Sequence, residues 1–159
     1  MNSDLPARDA LGVTESMVNV PNARDAVGGS YFLKGMIMSA NLKQRVDGLV
    51  EYILQGKILE AMDEFYADDL SMQENNNPPT VGKAANIERE KQFLSQVKEW
   101  KRTDINAIGV DESRGKTLVQ YGFHFVNTAG QDVHYDQVAV QTWKNGKIVH
   151  ERFYYDTGK

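Results

Sequence analysis

The apolar positions along this chain change period part-way through. From Asn41 onward they recur at helical spacing, with Leu42, Val46, Leu49, Val50 and Ile53 on one face and Asn41 as the expected N-cap. Gly56 interrupts the pattern. Ile58, Leu59, Met62, Phe65 and Tyr66 then mark a second helix that runs out at Asp68-Asp69. Leu70–Glu74 alternates like a short strand, and the polar Asn75–Pro79 stretch must break it. Gly82 precedes a third helix, expected from Ala84 to about Trp100, with Ile87, Phe93, Leu94 and Val97 as its buried set.

Beyond that point the period becomes two. Arg102–Asp111 carries Ile105, Ile108 and Val110. Thr117–Asn127 sets Val119, Tyr121, Phe123 and Phe125 on one face and Leu118, Gln120, Gly122, His124 and Val126 on the other. Thr128-Ala129-Gly130 turns the chain. Val133–Trp143 and Ile148–Asp156 form a closing hairpin about Asn145-Gly146, whose residues both tolerate the positive φ of a type I′ turn. Helices followed by a run of antiparallel strands is the order of an α+β fold, with helices on one face of a curved sheet. Residues 1–40 lack sustained periodicity and are punctuated by Pro and Gly. They read as a loosely ordered N-terminal arm, with a short amphipathic piece at Tyr31–Met38, and residues 41–159 read as the domain.

Composition narrows the class of function. At 159 residues with 41% apolar and 25% charged residues, the chain is an ordinary globular domain with room for a real core. A net charge of −4, with no basic stripe, argues against nucleic acid as a partner. Without cysteine there is neither a disulfide framework nor a thiolate zinc site. No run approaches the roughly 18 apolar residues of a membrane span, and no signal-peptide pattern opens the chain, so a cytoplasmic location is expected.

Three segments, GKILEAMDEFYADDLSMQEN, TVGKAANIEREKQFLSQV and WKNGKIVHERFYYD, occur in this order between Asn41 and Asp156. Together they resemble the SnoaL-like branch of the nuclear-transport-factor-2-like (NTF2-like) superfamily, which includes polyketide cyclases and is related to ketosteroid isomerase and limonene-epoxide hydrolase. The resemblance implies an NTF2-like (cystatin-like) cone: a curved antiparallel sheet wrapped around N-terminal helices, with a pocket at the open end. It does not imply one chemistry, because functions diverge within a fold. The isomerases' proton-shuttling carboxylate falls on Glu74. Their two oxyanion donors fall on Ala139 and near Leu49, so ketosteroid isomerase activity proper is not expected. Tyr52, about a turn away, is a weak substitute. The epoxide hydrolases' last-strand carboxylate falls on Phe153.

The same register turns Glu151, Phe153 and Tyr155 inward on the last strand, with Tyr135, Gln137, Ala139 and Gln141 on the strand before and Tyr121, Phe123 and Phe125 on the one before that. The expected site is therefore Glu74 and Glu151 as catalytic acids and bases in one cavity. Tyr121, Phe123, Tyr135, Gln137, Gln141, Phe153 and Tyr155 would contact the substrate. Aromatic walls with a few convergent polar groups suit a small hydrophobic ligand. The two glutamates together would repel, holding one protonated near neutral pH.

His124, His134 and His150 are not spaced as a metal pair on a helix, and no metal or cofactor is expected. By parity His124, His150, Arg152, Tyr154, Val138 and Val140 face outward, on a surface that the resemblance implies is a homodimer interface. Three functions remain open: an isomerase or cyclase that abstracts a proton beside a carbonyl, a non-catalytic ligand-binding or dimeric interaction module, and a hydrolase or dehydratase.

Overall fold

The computed structural model describes residues 41–157, so the expectations for the N-terminal arm lie outside the described residues. Three helices and one six-stranded sheet are present among them: α1 (Leu42–Leu54), α2 (Ile58–Phe65), β1 (Tyr66–Glu74), β2 (Thr80–Val81), α3 (Lys83–Ser95), β3 (Val97–Asp111), β4 (Lys116–Asn127), β5 (Asp132–Lys144) and β6 (Lys147–Tyr155). The strand order is β2-β1-β6-β5-β4-β3. This is the α+β NTF2-like cone the sequence points to. No helix among the described residues is long and apolar enough to cross a membrane.

The sheet is not wholly antiparallel, because β1 runs parallel to β6, with Met72 opposite Glu151 and Glu74 opposite Phe153. A parallel neighbour needs a long crossover, and here the crossover is most of the domain. That pairing also explains where α2 stops. The apolar spacing carries through Tyr66, but Tyr66 adopts φ −106° and ψ 142° and pairs with Ile148. Asp68 and Asp69 therefore lie in an exposed, irregular stretch of β1 rather than at a helix end, and Lys83 Nζ meets Asp68 at 2.9 Å.

Val46, Leu49 and Val50 of α1 pack with Ala61, Met62 and Phe65 of α2 against Leu70, Met72, Val119, Tyr121, Ala139, Trp143 and Ile148 of the sheet. Gly48 allows the close approach of the two helices, since a Cβ there would lie 3.2 Å from the Phe65 ring. Asn41 caps α1 through its side chain, at 3.4 Å from Gln44 N. Asn145 and Gly146 both take positive φ, 52° and 74°, as the hairpin turn requires.

The third helix departs most from expectation. It ends at Ser95, and Val97 and Trp100 already belong to β3, opposite Asn127 and Phe125. Ile87, Phe93 and Leu94 are only half-buried, whereas the one fully buried side chain on α3 is polar. Asn86 donates to the Thr80 carbonyl at 3.0 Å and to the Gly82 carbonyl at 2.9 Å. The physical reason is that α3 covers a cavity and not a packed core, so its inner face need not be apolar.

One residue fastens the two ends of the parallel pair. Asn75, in the left-handed region at φ 46°, donates through Nδ2 to the Tyr155 carbonyl at 3.0 Å and accepts from Tyr155 N–H at 3.1 Å. Its own N–H donates to Phe153 O at 2.8 Å, and Arg152 Nε donates to its carbonyl at 2.8 Å. The amide thus extends the ladder by one step after β1 has turned away. Asn75→Ala removes both side-chain bonds and puts alanine, which disfavours positive φ more than asparagine does, at φ 46°. Thermal or urea unfolding should show a loss of about 1–3 kcal/mol; a change within about 0.5 kcal/mol would mean the clamp does not contribute.

Candidate functional site

Between α3 and the concave face of β1, β5 and β6 lies a cavity of about 670 Å³. The strands supply Met72, Glu74, Tyr135, Gln137, Phe153 and Tyr155, and α3 supplies Asn86, Arg89, Glu90 and Phe93. The α3 set sits at helical spacing, which gives the helix a polar inner stripe. A second cavity of about 80 Å³ lies on the α1–α2 side, lined by Ile53, Ile58, Met62, Tyr66, Tyr121 and Glu151. Met72, Glu90, Gln137 and Phe153 line both and form the partition between them. The structure therefore does not bring Glu74 and Glu151 into one cavity: Glu74 belongs to the outer compartment and Glu151 to the inner.

Glu74 is 36% exposed in its side chain, and both of its oxygens are engaged. Oε1 forms an ion pair with Arg89 Nη2, and Oε2 accepts from Tyr155 Oη at 2.7 Å. Arg89 is steadied in turn by Thr80 Oγ1 at 3.3 Å and Asn86 Oδ1 at 3.4 Å. Burial, then the bond to Glu74 and its charge, push the Tyr155 phenol up to about 12, against a smaller opposing effect of Arg89. Tyr155 therefore stays a neutral donor across the working pH range.

Glu151 is 1% exposed and sits in a closed polar chain. Trp143 Nε1 donates to Thr117 Oγ1 at 2.8 Å, and Thr117 donates to Gln141 Oε1 at 2.5 Å. Gln141 Nε2 donates to Glu151 Oε1 at 2.7 Å, and Tyr66 Oη donates to Glu151 Oε2 at 2.8 Å. Burial pushes the Glu151 carboxyl up to about 7, the two hydrogen bonds pull it back in part, and the charge of Glu90 adds to the rise. The carboxyl that repels Glu151 is thus Glu90, not Glu74. Gln141, expected to contact the substrate, is fully buried, lines neither cavity and has its amide engaged with Thr117 and Glu151.

Glu90 is the site residue that periodicity along the sequence did not single out. It is half-buried on α3, lines both cavities, and has no hydrogen-bond partner among the described residues. Desolvation holds its carboxyl above the usual carboxylate range; Arg89 opposes this and Glu74 adds to it. The available signal was the polar spacing Asn86, Arg89 and Glu90, interleaved along the same helix with the apolar Ile87, Phe93 and Leu94.

Of the other expected residues, Tyr135, Gln137, Phe153 and Tyr155 line the outer cavity, and Tyr121, Gln137 and Phe153 the inner. Phe123 lines neither. It stacks on Tyr121, with ring centroids 5.5 Å apart, and meets Trp100 edge-on at 5.6 Å as part of the aromatic wall. Tyr52 also lines neither and packs edge-on against Phe65 at 5.5 Å. Ala139 and Leu49 are fully buried in the core. Burial raises the phenols of Tyr66, Tyr121 and Tyr135 above their ordinary value, with Glu151 or Glu90 as the next cause, so each remains an O–H donor.

Residues 46–151 match the SnoaL-like domain. The chain belongs to the SnoaL-like family. No curated protein sequence matches it. Among solved structures, it is similar to a Mesorhizobium loti protein assigned as a SnoaL-like polyketide cyclase and carbohydrate phosphatase, at 25% identity over 72% of this chain and 99% of that one, with a TM-score of 0.65. An NTF2-like protein of unknown function from Burkholderia pseudomallei is 16% identical over 75% of this chain and 93% of its own, with a TM-score of 0.64. An LEH-like epoxide hydrolase from M. tuberculosis is 18% identical over 74% and 84%, with a TM-score of 0.59. The last two likenesses establish the fold alone.

The inner carboxyl has a consequence for stability in this SnoaL-like domain. An acid whose folded value is raised from 4.5 to about 7 binds more protons folded than unfolded across that interval. Stability should therefore be fullest below the unfolded value, fall by roughly 3 kcal/mol as pH rises toward about 7, and stay lower above it. Glu151→Gln, which mimics the protonated form, should flatten that slope. Urea unfolding between pH 5 and pH 8 would count against this if wild type and variant declined in parallel.

Proposed function

We propose that this SnoaL-like domain binds a small hydrophobic carbonyl compound in the outer cavity and catalyses proton transfer beside the carbonyl, as an isomerase or cyclase. The observation that carries this reading is the Glu90 carboxyl: desolvated, free of hydrogen-bond partners among the described residues, and lining the same cavity as Tyr135 and Gln137. Glu90 takes a proton from the carbon next to the carbonyl. The electron pair moves onto the carbonyl oxygen, and the resulting enolate oxygen accepts from the Tyr135 phenol or the Gln137 amide. These donors stand in for the pair lost at Ala139 and Leu49. The enolate then takes the proton back from Glu90 at a second carbon in an isomerase, or attacks a second carbonyl carbon and closes a ring in a cyclase, where the new alkoxide takes the proton from Glu90.

Glu74 has a different part from the base the family register suggests. With Arg89 and Tyr155 on its two oxygens, it acts as the positioning residue that keeps Arg89 beside Glu90 and Tyr155 on the cavity wall. Glu151, its carboxyl raised by burial, backs the inner compartment as a second acid. The committed oxygens of Glu74 also favour a second reading, in which the cavity binds its ligand without chemistry.

Deuterium exchange separates the two readings whatever the product. Hydrophobic cyclic enones and aryl methyl ketones that raise the melting temperature are incubated with the protein in D₂O, and exchange beside the carbonyl is followed by NMR. Wild type should exchange above the buffer rate, and Glu90→Gln should lose about 10²–10⁴-fold. Ligands that bind but do not exchange would leave the non-catalytic reading standing and remove the catalytic one.

A further inference from the structure

Away from both cavities, the outer face of the β4–β5 pair gathers three groups that the proposed reaction does not use. His124 and His134 lie directly opposite one another in the register. Their rings stack with centroids 3.7 Å apart and planes 24° from parallel. Both turn Nε2 toward a single carboxylate: His124 Nε2 lies 2.8 Å from Asp132 Oδ1, and His134 Nε2 lies 3.1 Å from Asp132 Oδ2. The ligand atoms of the three residues all lie within 4.8 Å of one another. We propose that His124, Asp132 and His134 form a binding site for one divalent transition-metal ion of the zinc, nickel or copper type.

The donors are already gathered, and the two stacked rings need only turn to aim both Nε2 lone pairs at one ion. Bond lengths of about 2.0–2.1 Å to nitrogen and 2.0–2.2 Å to oxygen place neighbouring donors of a tetrahedral ion about 3.3 Å apart. The two Nε2 atoms already lie 2.8 and 3.1 Å from the two oxygens of Asp132, and the three ligand atoms within 4.8 Å of one another draw in or open toward that value as the rings turn. The ion takes the place between Asp132 and the two rings that the hydrogen bonds occupy without it. In the bound form each imidazole is the neutral Nδ1–H tautomer and offers the Nε2 lone pair, and the carboxylate supplies the third donor.

The sheet prearranges the set. Asp132 and His134 share one face of β5 because they are two residues apart, and cross-strand pairing brings His124 to them. The ligands are reachable, with side-chain exposures of 28% for His124, 63% for His134 and 61% for Asp132. Three protein donors leave the fourth position of a tetrahedral ion open to water.

The neighbouring charges favour a cation. The stacked pair borders a hollow of about 200 Å³ that also holds Asp104, Asp136 and Arg102. Gly122 keeps this hollow clear, because a Cβ there would meet Asp136 Oδ1 at 3.0 Å. Arg102 is itself engaged with Asp104 at 2.8 Å, so the carboxylates outnumber it. Two imidazoles and one carboxylate select borderline transition ions over magnesium or calcium, which prefer all-oxygen sets.

Spacing along the chain could not show this. The usual metal signature pairs two histidines a helical turn apart, whereas here the two ligands belong to different strands.

The test uses the full chain, stripped with EDTA and desalted, titrated calorimetrically with ZnCl₂ and followed by side-chain ¹H–¹⁵N NMR of the histidines. One equivalent should bind, with the Nε2 resonances of His124 and His134 shifted and those of His150 unmoved. Asp132→Asn and His134→Ala should each weaken binding at least about tenfold. His150→Ala should leave it unchanged, and MgCl₂ should give no saturation. Zinc affinity that survives both ligand substitutions, or wild-type protein that does not saturate by about 1 mM zinc, overturns the proposal.

Discussion

The strand side of the candidate site depends on β1 lying parallel to β6. That single pairing joins the end of the helical half to the last strand of the sheet, and it sets Met72 beside Glu151 and Glu74 beside Phe153. It stops α2 at Phe65, because Tyr66 gains a strand partner that a further helical turn could not offer. It also brings the Tyr66 hydroxyl to Glu151 across most of the domain's sequence. Asn75 finishes the pairing with side-chain amide bonds to Tyr155 and so holds the phenol that meets Glu74. The end of α2 and the placing of Tyr66, Glu74, Glu151 and Tyr155 follow from this one pairing.

The two carboxylates named from the sequence answer different physical problems. A buried carboxylate must be hydrogen-bonded or protonated, since burial without either is costly. Glu151 meets the first condition through Tyr66 and Gln141 and moves part of the way to the second, with its carboxyl at about 7. The chain from Trp143 through Thr117 and Gln141 leaves no member unsatisfied, which is the condition under which a buried polar network specifies a core instead of weakening it. Glu74 meets a guanidinium at a half-exposed position, where pairing costs less and steadies less.

The helix α3 turns an aromatic cone into a chemically varied cavity. A core helix would have brought apolar side chains inward and filled the space. This one brings Asn86, Arg89 and Glu90, and the space remains. Aromatic strands still supply the walls, while the polar stripe supplies charge, donors and a desolvated carboxyl. Sheet and helix thus divide shape from chemistry, a division that lets one fold serve cyclases, isomerases and hydrolases.

Much of the fold was legible in the sequence because it rests on local rules. Period-two alternation separated Tyr121 from Leu118, and with the phase that the family register implies it put Glu151 inside and Tyr154 outside, since a strand has only two faces. Asn145-Gly146 specified its turn because few residue pairs accept two positive φ angles. The limits of α2 and α3 were not legible, because strand partners far along the chain decide them. Neither was the allocation of Glu74 and Glu151 to separate compartments, nor the role of Glu90, since each depends on how α3 docks over the sheet. The same holds for His124, Asp132 and His134, which hairpin register brings together. The sequence alone determined the elements, the sidedness of the strands and the family, because propensity and periodicity act over a few residues. Only the tertiary structure decided which charged groups face one another, because charges meet across space and their neighbours are set by packing.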